Sequence, residues 1–231
     1  MLTRCPYPEC RHDFEVDYQL PEGDWHWKHG ECPACKLPAS LRPVEVMQNI
    51  ERLYEKRELA GTLGSLVTDQ VHRLTAVVED VRSLWNVGSI FRTSDGAGLS
   101  SLALCGITGC PPRKEIAKTS LGADETVKWR YYRSAIEILR TLKSNGYLIL
   151  GLERNAHSQL LSDSIAQHKL KTPLCIVLGN EVMGVSAESL SLCDLVCHLP
   201  MRGVKESLNV AVAFGVASYA VADFFAAEKV I

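Results

Sequence analysis

Five short apolar runs, separated by stretches of helix length, constrain this chain more than any other feature. They are Leu74 to Val81, Ser101 to Ile107, Tyr147 to Leu152, Leu174 to Leu178 and Leu195 to Leu199. Most are dense in Val, Ile and Leu and scarcely alternate with polar residues, which is how strands covered on both faces read. Between them, Asn86 to Ala97, Lys114 to Leu121 and Ala135 to Ser144 carry helical patterns, the last with Ile136, Leu139 and Leu142 on one face. Thr126 to Tyr132 adds a shorter strand, and the connection through Leu160 and Ile165 is weakly patterned. Strands alternating with helices predict an α/β domain with a mostly parallel sheet and helices on both faces.

The first forty residues have a different character. Cys5-x4-Cys10 is followed by Cys32-x2-Cys35, with Pro6, Pro8, Gly23, Gly30 and Pro33 among them. So short and polar a segment cannot bury a core of its own, and four thiolates holding a structural zinc ion would supply the missing folding free energy. His12, His26 and His29 lie close enough in sequence to replace one cysteine, and free cysteines in an unstructured tail are the plainer alternative. The segment resembles a zinc ribbon. Trp25, Trp27, Lys28 and His29 suit stacking on bases, or the tryptophans form the ribbon's small core. The remaining cysteines, Cys105, Cys175, Cys193 and Cys197, read as small core hydrophobes; Cys110 could pair with Cys105 on a second metal only at long odds. The count of nine is odd, which argues against a disulfide framework.

From Pro43 to His72 the chain reads as a helical linker, with Val46, Ile50, Leu53 and Leu59 near helical spacing and Gly61 and Gly64 interrupting it. The net charge of −2 offers no global field for a polyanion, although a local basic patch would serve. No apolar run approaches the roughly 20 residues of a membrane span, and the N-terminus has no apolar signal core, so a cytoplasmic protein with no membrane partner is expected.

The nucleotide-binding fingerprints fail. Gly96-Ala97-Gly98 lacks its third glycine and precedes a strand rather than a helix. Gly179-x4-Gly184 has Val185 where a phosphate-binding loop needs lysine. HExxH and GxSxG do not occur. Polar, glycine-bearing turns instead follow two strands. One carries Gly179, Asn180 and Glu181; the other carries Pro200, Met201, Arg202 and Gly203 and leads through Ser207-Leu208-Asn209 into a small-residue helix. Ligand sites in parallel sheets sit at such strand ends.

Three blocks complete the pattern: Asn86-Val87-Gly88-Ser89-Ile90-Phe91-Arg92-Thr93, Leu178-Gly179-Asn180-Glu181 through Gly184, and Leu199-Pro200-Met201 through Ser207-Leu208-Asn209-Val210. In this order they resemble the three motifs of the SpoU (TrmH-like) branch of the SPOUT RNA methyltransferases, over about Leu74 to Phe225. The resemblance implies S-adenosyl-L-methionine-dependent methylation of a ribose 2′-hydroxyl in tRNA or rRNA, a homodimer, and a C-terminal trefoil knot that pattern alone would never suggest. It places Leu178, Gly179, Leu199, Met201 and Leu208 at the cofactor. It makes Arg92 catalytic, with Asn86, Glu181, Ser207 and Asn209 beside it, Glu181 orienting either Arg92 or a backbone amide.

Plainer readings stand next to these. Asn86 and Ser207 could be helix N-caps, Arg92 a surface ion pair, Glu181 a solvated charge, and Ala211, Ala213, Gly215, Ala217 and Ala220 close helix packing. A zinc-ribbon RNA-binding or ribosome-associated protein with an inactive methyltransferase domain is the competing function. The expected organisation is a zinc-ribbon-like module over 1–41, carrying the metal ligands Cys5, Cys10, Cys32 and Cys35, a helical linker over 42–72 and the α/β domain over 73–231.

Overall fold

The computed structural model describes residues 1–18, 28–58 and 74–228. His26, Trp25 and Trp27, and the linker from Leu59 through Gly61 and Gly64 to His72, lie outside them. The chain opens with two antiparallel pairs: β1 (Leu2–Arg4) with β2 (Asp13–Glu15), then β3 (Lys28–Glu31) with β4 (Pro38–Leu41). Helix α1 (Val44–Glu58) follows, burying Val46 and Ile50.

From Leu74 the chain runs β5 (Leu74–Glu79), α2 (Leu84–Gly96), β6 (Ser101–Cys105), α3 (Lys114–Ser120), α4 (Ala123–Thr126), β7 (Lys128–Tyr132), α5 (Ala135–Ser144), β8 (Leu148–Leu152), β9 (Gln159–Leu160), α6 (Leu161–Ala166), β10 (Leu174–Leu178), α7 (Ala187–Leu190), β11 (Leu195–His198) and α8 (Val210–Ala227). Seven strands form one sheet in the order β7-β6-β5-β10-β8-β11-β9, every pair parallel.

The period of two along each strand divides the core into two layers. Ala76 and Val78 of β5, Leu102 and Leu104 of β6, Leu150 of β8 and Ile176 and Leu178 of β10 pack with Ile90 and Phe91 of α2 and Phe214 of α8. Val77, Ala103, Cys105, Ile149, Cys175 and Val177 face the other way, against Ile138, Leu139 and Leu142 of α5. Burial on both faces explains why these strands show no polar alternation. Cys105, Cys175 and Cys197 are buried and Cys193 is half-buried.

Several boundaries and caps differ from the sequence expectation. Helix α2 starts two residues earlier than the pattern suggests, because Ser83 caps it and accepts a hydrogen bond from the Asn86 N–H at 3.3 Å; Asn86 is therefore not the cap. Helix α8 is capped by Asn209 rather than Ser207, its side-chain oxygen accepting from the N–H groups of Ala211 (3.0 Å) and Val212 (3.3 Å). The weakly patterned connection contains β9 and α6. Helix α8 also corrects the hydropathy reading: its 18 residues, at a mean hydropathy of 1.8, are long and apolar enough to cross a membrane by length and composition alone. One face, with Phe214, Ala217, Val221 and Phe225, is instead buried against the rest of the domain.

The ribbon-like segment is bolted to the sheet through buried charges. Arg42, just past β4, reaches Asp80 at 2.8 Å, Glu188 at 3.5 Å and Glu79 at 3.9 Å. All four residues are at most 6% exposed. The Ser40 N–H donates to Glu188 Oε2 at 2.8 Å, and Glu79 accepts from the Ser186 N–H, the Ser186 hydroxyl and the Ser189 hydroxyl. Outside this cluster, Tyr7 packs with Ile136 in one apolar group, and Arg140 forks onto Glu9 at 2.7 and 3.1 Å. Burial and the neighbouring Asp80 raise Glu79 to about 7, against the pull of Arg42; burial likewise raises Asp80.

A carboxyl whose pKa is raised in the folded state holds a proton that the unfolded chain has already lost. Glu79 therefore erodes stability as pH climbs from about 4 through about 7, and Asp80 adds to the loss above its ordinary range. Replacing Arg42 with methionine removes the cation shared by three buried carboxylates and is expected to cost about 3–5 kcal/mol near pH 8. Near pH 5.5, where Glu79 is protonated, the loss should be smaller. Urea denaturation of both proteins at the two pH values checks this, and a penalty independent of pH would count against it.

Candidate functional site

Parallel strands place all their carboxyl ends on one edge of the sheet. Beyond β8, β10 and β11 that edge opens into a cavity of about 190 Å³. Its walls include Leu178, Gly179 and Glu181 from the end of β10, Leu199 and Met201 from beyond β11, and Ser207 and Leu208 from the approach to α8. Leu178, Gly179, Leu199, Met201 and Leu208, the residues assigned to a cofactor, thus line one space.

The turn after β10 has little freedom. Asn180 and Gly184 exchange backbone hydrogen bonds at 2.9 Å in both directions. The Asn180 side-chain oxygen accepts from the N–H groups of Val182 (2.9 Å) and Met183 (3.1 Å), while its amide donates to the Asp80 carbonyl at 2.8 Å. A Cβ at Gly179 would lie 2.0 Å from the Gly184 carbonyl carbon, so only glycine lets the two backbone strands of the turn close. Gly88 plays the same part in the first motif, where a Cβ would meet the Ile116 carbonyl oxygen at 2.4 Å and hold α2 away from α3.

Glu181 ties the motifs together. Its carboxylate accepts from the N–H groups of Arg82 (3.0 Å) and Ser83 (2.9 Å) and from the Asn86 side-chain amide (3.1 Å). Burial pushes this carboxyl up, but the Arg82 and Ser83 N–H groups more than reverse that, and its pKa falls below the ordinary value. Asn86 in turn accepts from the Asn209 side-chain amide at 3.1 Å. One hydrogen-bonded chain, Glu181–Asn86–Asn209, therefore joins residues from all three motifs.

Arg92 stands apart from that chain. It is exposed, about 9 Å along the helix axis from Asn86 by the α-helical rise, and among the described residues no hydrogen bond or ion pair holds it. Glu181 serves the start of α2 and Asn86, not Arg92. The plainer alternative for Arg92, a surface ion pair, also has no partner among the described residues. Ser207 lies on the cavity wall, exposed.

Sequence reasoning missed Glu153 and Arg154. Glu153 Oε2 accepts from the Val185 N–H at 2.8 Å and bolsters the turn from the cavity side, and Arg154 donates to the Glu206 carbonyl at 3.0 Å. Their position directly after β8 was a usable signal, since that strand ends on the same edge as β10 and β11.

The four N-terminal cysteines form a second candidate site. Their sulfur atoms all lie within 4.8 Å of one another, with Cys5–Cys35 at 3.7 Å and Cys10–Cys32 at 3.8 Å. Zinc–sulfur bonds of about 2.3 Å in a tetrahedron require sulfurs about 3.8 Å apart, so the set fits that ion. Each pair of cysteines is followed by a left-handed residue, Arg11 (φ 45°) and Lys36 (φ 61°). Burial raises the Cys5 and Cys35 thiols, whereas at Cys32 the Cys35 and Ala34 amides outweigh burial and bring it down to about 7. The four thiols suffice without a histidine: His12 stacks on Phe14 instead. Cys105 and Cys110 belong to no metal-ligating group among the described residues.

A family model described as the SpoU rRNA Methylase family matches residues 73–219. The chain belongs to this family. A 23S rRNA (guanosine-2′-O-)-methyltransferase RlmB from Nitrosomonas europaea is 29% identical over 182 residues, covering 79% of this chain and 67% of its own length. Its counterpart from Vibrio parahaemolyticus is 31% identical over 143 residues, 62% of this chain and 56% of that protein. A tRNA (guanosine(18)-2′-O)-methyltransferase from Borreliella burgdorferi is 28% identical over 171 residues, 69% of this chain and 76% of its own length. The match therefore spans little more than half of some relatives. Among solved structures, the A. aeolicus TrmH/SpoU tRNA modifying enzyme superposes with a TM-score of 0.61 at 22% identity, covering 80% of this chain and 87% of that one. AviRb from Streptomyces viridochromogenes, in complex with AdoMet, gives 0.62 at 21% identity over 70% of this chain and 64% of that one. The family's fold is thus present here as a seven-stranded parallel sheet with helices.

Replacing Glu181 with alanine should leave two backbone N–H groups and the Asn86 amide without their acceptor, at a cost of about 1–2 kcal/mol at neutral pH. Because the Glu181 pKa is lowered in the folded state, the difference from the parent should shrink as pH falls below the ordinary carboxylate range and the parent's carboxylate takes up its proton; thermal melts across pH test both points. For the cysteine cluster, metal analysis should find one zinc per chain, and chelation should lower the melting temperature. Metal-free protein with an unchanged melting temperature would exclude a structural ion.

Proposed function

We propose that this chain is an S-adenosylmethionine-dependent RNA ribose 2′-O-methyltransferase acting on tRNA or rRNA. The observation that carries this reading is convergence: the five residues assigned to the methyl donor line one cavity, and Glu181 on its wall is hydrogen-bonded through Asn86 to Asn209. The named activities of the relatives, on both 23S rRNA and tRNA guanosines, point the same way. The reading includes a trefoil knot in the C-terminal segment, supported by the insertion of β10 between β5 and β8.

Leu178, Gly179, Leu199, Met201 and Leu208 would hold the donor, largely through backbone groups. Bound there, S-adenosylmethionine supplies a methyl group on a sulfonium centre for in-line displacement by oxygen. A ribose hydroxyl is a poor nucleophile until its proton leaves, and alignment contributes much of the rate. Asn86 and Asn209 fix the rim and offer hydrogen bonds to ribose, with Ser207 beside them. Glu181 positions Asn86. A guanidinium offers donors and no acceptor, so the part of Arg92 is to grip the neighbouring phosphate and stabilise the developing alkoxide. That no partner among the described residues holds it suits a group that meets an incoming anion.

A homodimer accompanies this reading. Val212, Val216 and Tyr219 recur at helical spacing on α8 and are each about half exposed, at 52%, 50% and 48%, an apolar stripe suited to a second copy. The organisation we propose is a zinc-ribbon-like module over 1–41 that grips RNA, a helical linker over 42–72 and a catalytic domain over 73–231, in the cytoplasm.

Calorimetry should detect S-adenosylmethionine binding, and nucleoside mass spectrometry should detect 2′-O-methylation of tRNA or rRNA from cells lacking this protein once the enzyme is added. Arg92→Ala should lower turnover by about a hundredfold or more with cofactor affinity unchanged. Absence of cofactor binding in the parent protein would leave the alternative, an RNA-binding protein with an inactive methyltransferase domain.

A further inference from the structure

The first turn of α2 presents a tryptophan that the site described above does not use. Trp85 directly precedes Asn86 and is 48% exposed. The buried side of α2 consists of Val87, Gly88, Ile90, Phe91 and Ser94, and Trp85 falls away from it. Residues i, i+4 and i+7 share one face of a helix, so Trp85, Ser89 and Arg92 lie on one side of α2, with Trp85 and Arg92 about 10 Å apart along the axis.

The indole is set in place by its surroundings. The Trp85 carbonyl accepts from the Ser89 hydroxyl at 2.9 Å and from the Thr119 hydroxyl at 3.0 Å, and a Cβ at Gly88 would clash with α3, so the turn that carries the ring is packed tightly. The Lys118 ammonium lies over the ring, 5.5 Å from its centroid. Arg82, Lys114 and Lys118 are all exposed, and Lys114 and Lys118 occupy one face of α3 at i, i+4. With the Lys118 ammonium over its ring, the chemistry of Trp85 matches a nucleobase with a phosphate beside it, since base–aromatic stacking tolerates any base and cations track the backbone.

We propose that Trp85, flanked by Lys118, is a stacking platform for the base of a nucleotide next to the one whose ribose is methylated. The proposal rests on the RNA methyltransferase reading above and adds to it a specific contact on the acceptor strand. Trp85 is a positioning residue: it holds the strand along the exposed face of α2, so that Arg92 on that same face meets a phosphate.

The test is fluorescence anisotropy with a short fluorescein-labelled oligoadenylate and with unfractionated tRNA, over a range of salt concentrations. Trp85→Ala should weaken binding roughly tenfold or more while the slope of log affinity against log salt stays as in the parent, because no phosphate contact is lost. Trp85→Phe should restore most of the affinity. Lys118→Gln should instead flatten the salt slope by about 0.7 for the single strand. Circular dichroism of each variant should match the parent, as expected for exposed positions. If the parent binds RNA and Trp85→Ala binds equally tightly, the platform is refuted while the RNA reading stands. If the parent binds neither probe, the RNA reading fails and the platform with it. If Trp85→Ala shifts the sedimentation of the protein toward a smaller species, the ring belongs to an interface between copies and the proposal is overturned.

Discussion

The candidate site depends on one half-buried carboxylate. Glu181 gathers the Arg82 and Ser83 N–H groups and the Asn86 amide, and through Asn86 it reaches Asn209. The groups it binds lie nearly a hundred residues upstream, and Asn209 follows it by 28 positions in the numbering. Charge-assisted hydrogen bonds are the strong kind, and here they fix the start of α2 against the turn after β10. Ser83 and Asn209 also cap the two helices that meet behind the cavity. The same polar groups thus set helix register and line up the rim.

The second constraint is steric. Gly179 lets the turn after β10 fold onto Gly184, and Gly88 lets α2 approach α3. Neither glycine binds anything through a side chain. Their contribution is the absence of a Cβ where backbone meets backbone, which lets the turn after β10 and the start of α2 hold the positions that the polar chain joins.

Much of this was legible in the sequence. Dense apolar runs announced strands buried on both faces, and α5 was bounded correctly at Ala135 and Ser144 because its apolar period is clean. Glycine-bearing turns after strands of a parallel sheet pointed to the edge that holds the cavity, and the resemblance to the SpoU motifs named the residues of its wall. The caps were not legible: Ser83 competed with Asn86, and Asn209 with Ser207, as all four are good cap formers and only the helix axis decides between them. Short α6 and α7 escaped because a turn or two leaves no period to detect. The buried Arg42 cluster escaped for a deeper reason. Its members, Arg42, Glu79, Asp80 and Glu188, look like ordinary surface charges in sequence, and only folding brings them together.

That cluster bears on how the N-terminal segment is attached. A module joined by a flexible tether can be lost, gained or exchanged without consequence for its neighbour. Here the anchoring cation, Arg42, directly follows the ribbon-like segment, while the carboxylates come from the end of the strand that begins the domain at Leu74 and from a helix on the sheet's face. A descendant that discards the chain through Arg42 inherits a core with three buried acids and no shared cation, so it must change those positions as well. The charges make the two parts a single heritable unit, and a graft of this ribbon onto another SpoU domain has to carry Glu79, Asp80 and Glu188 with it.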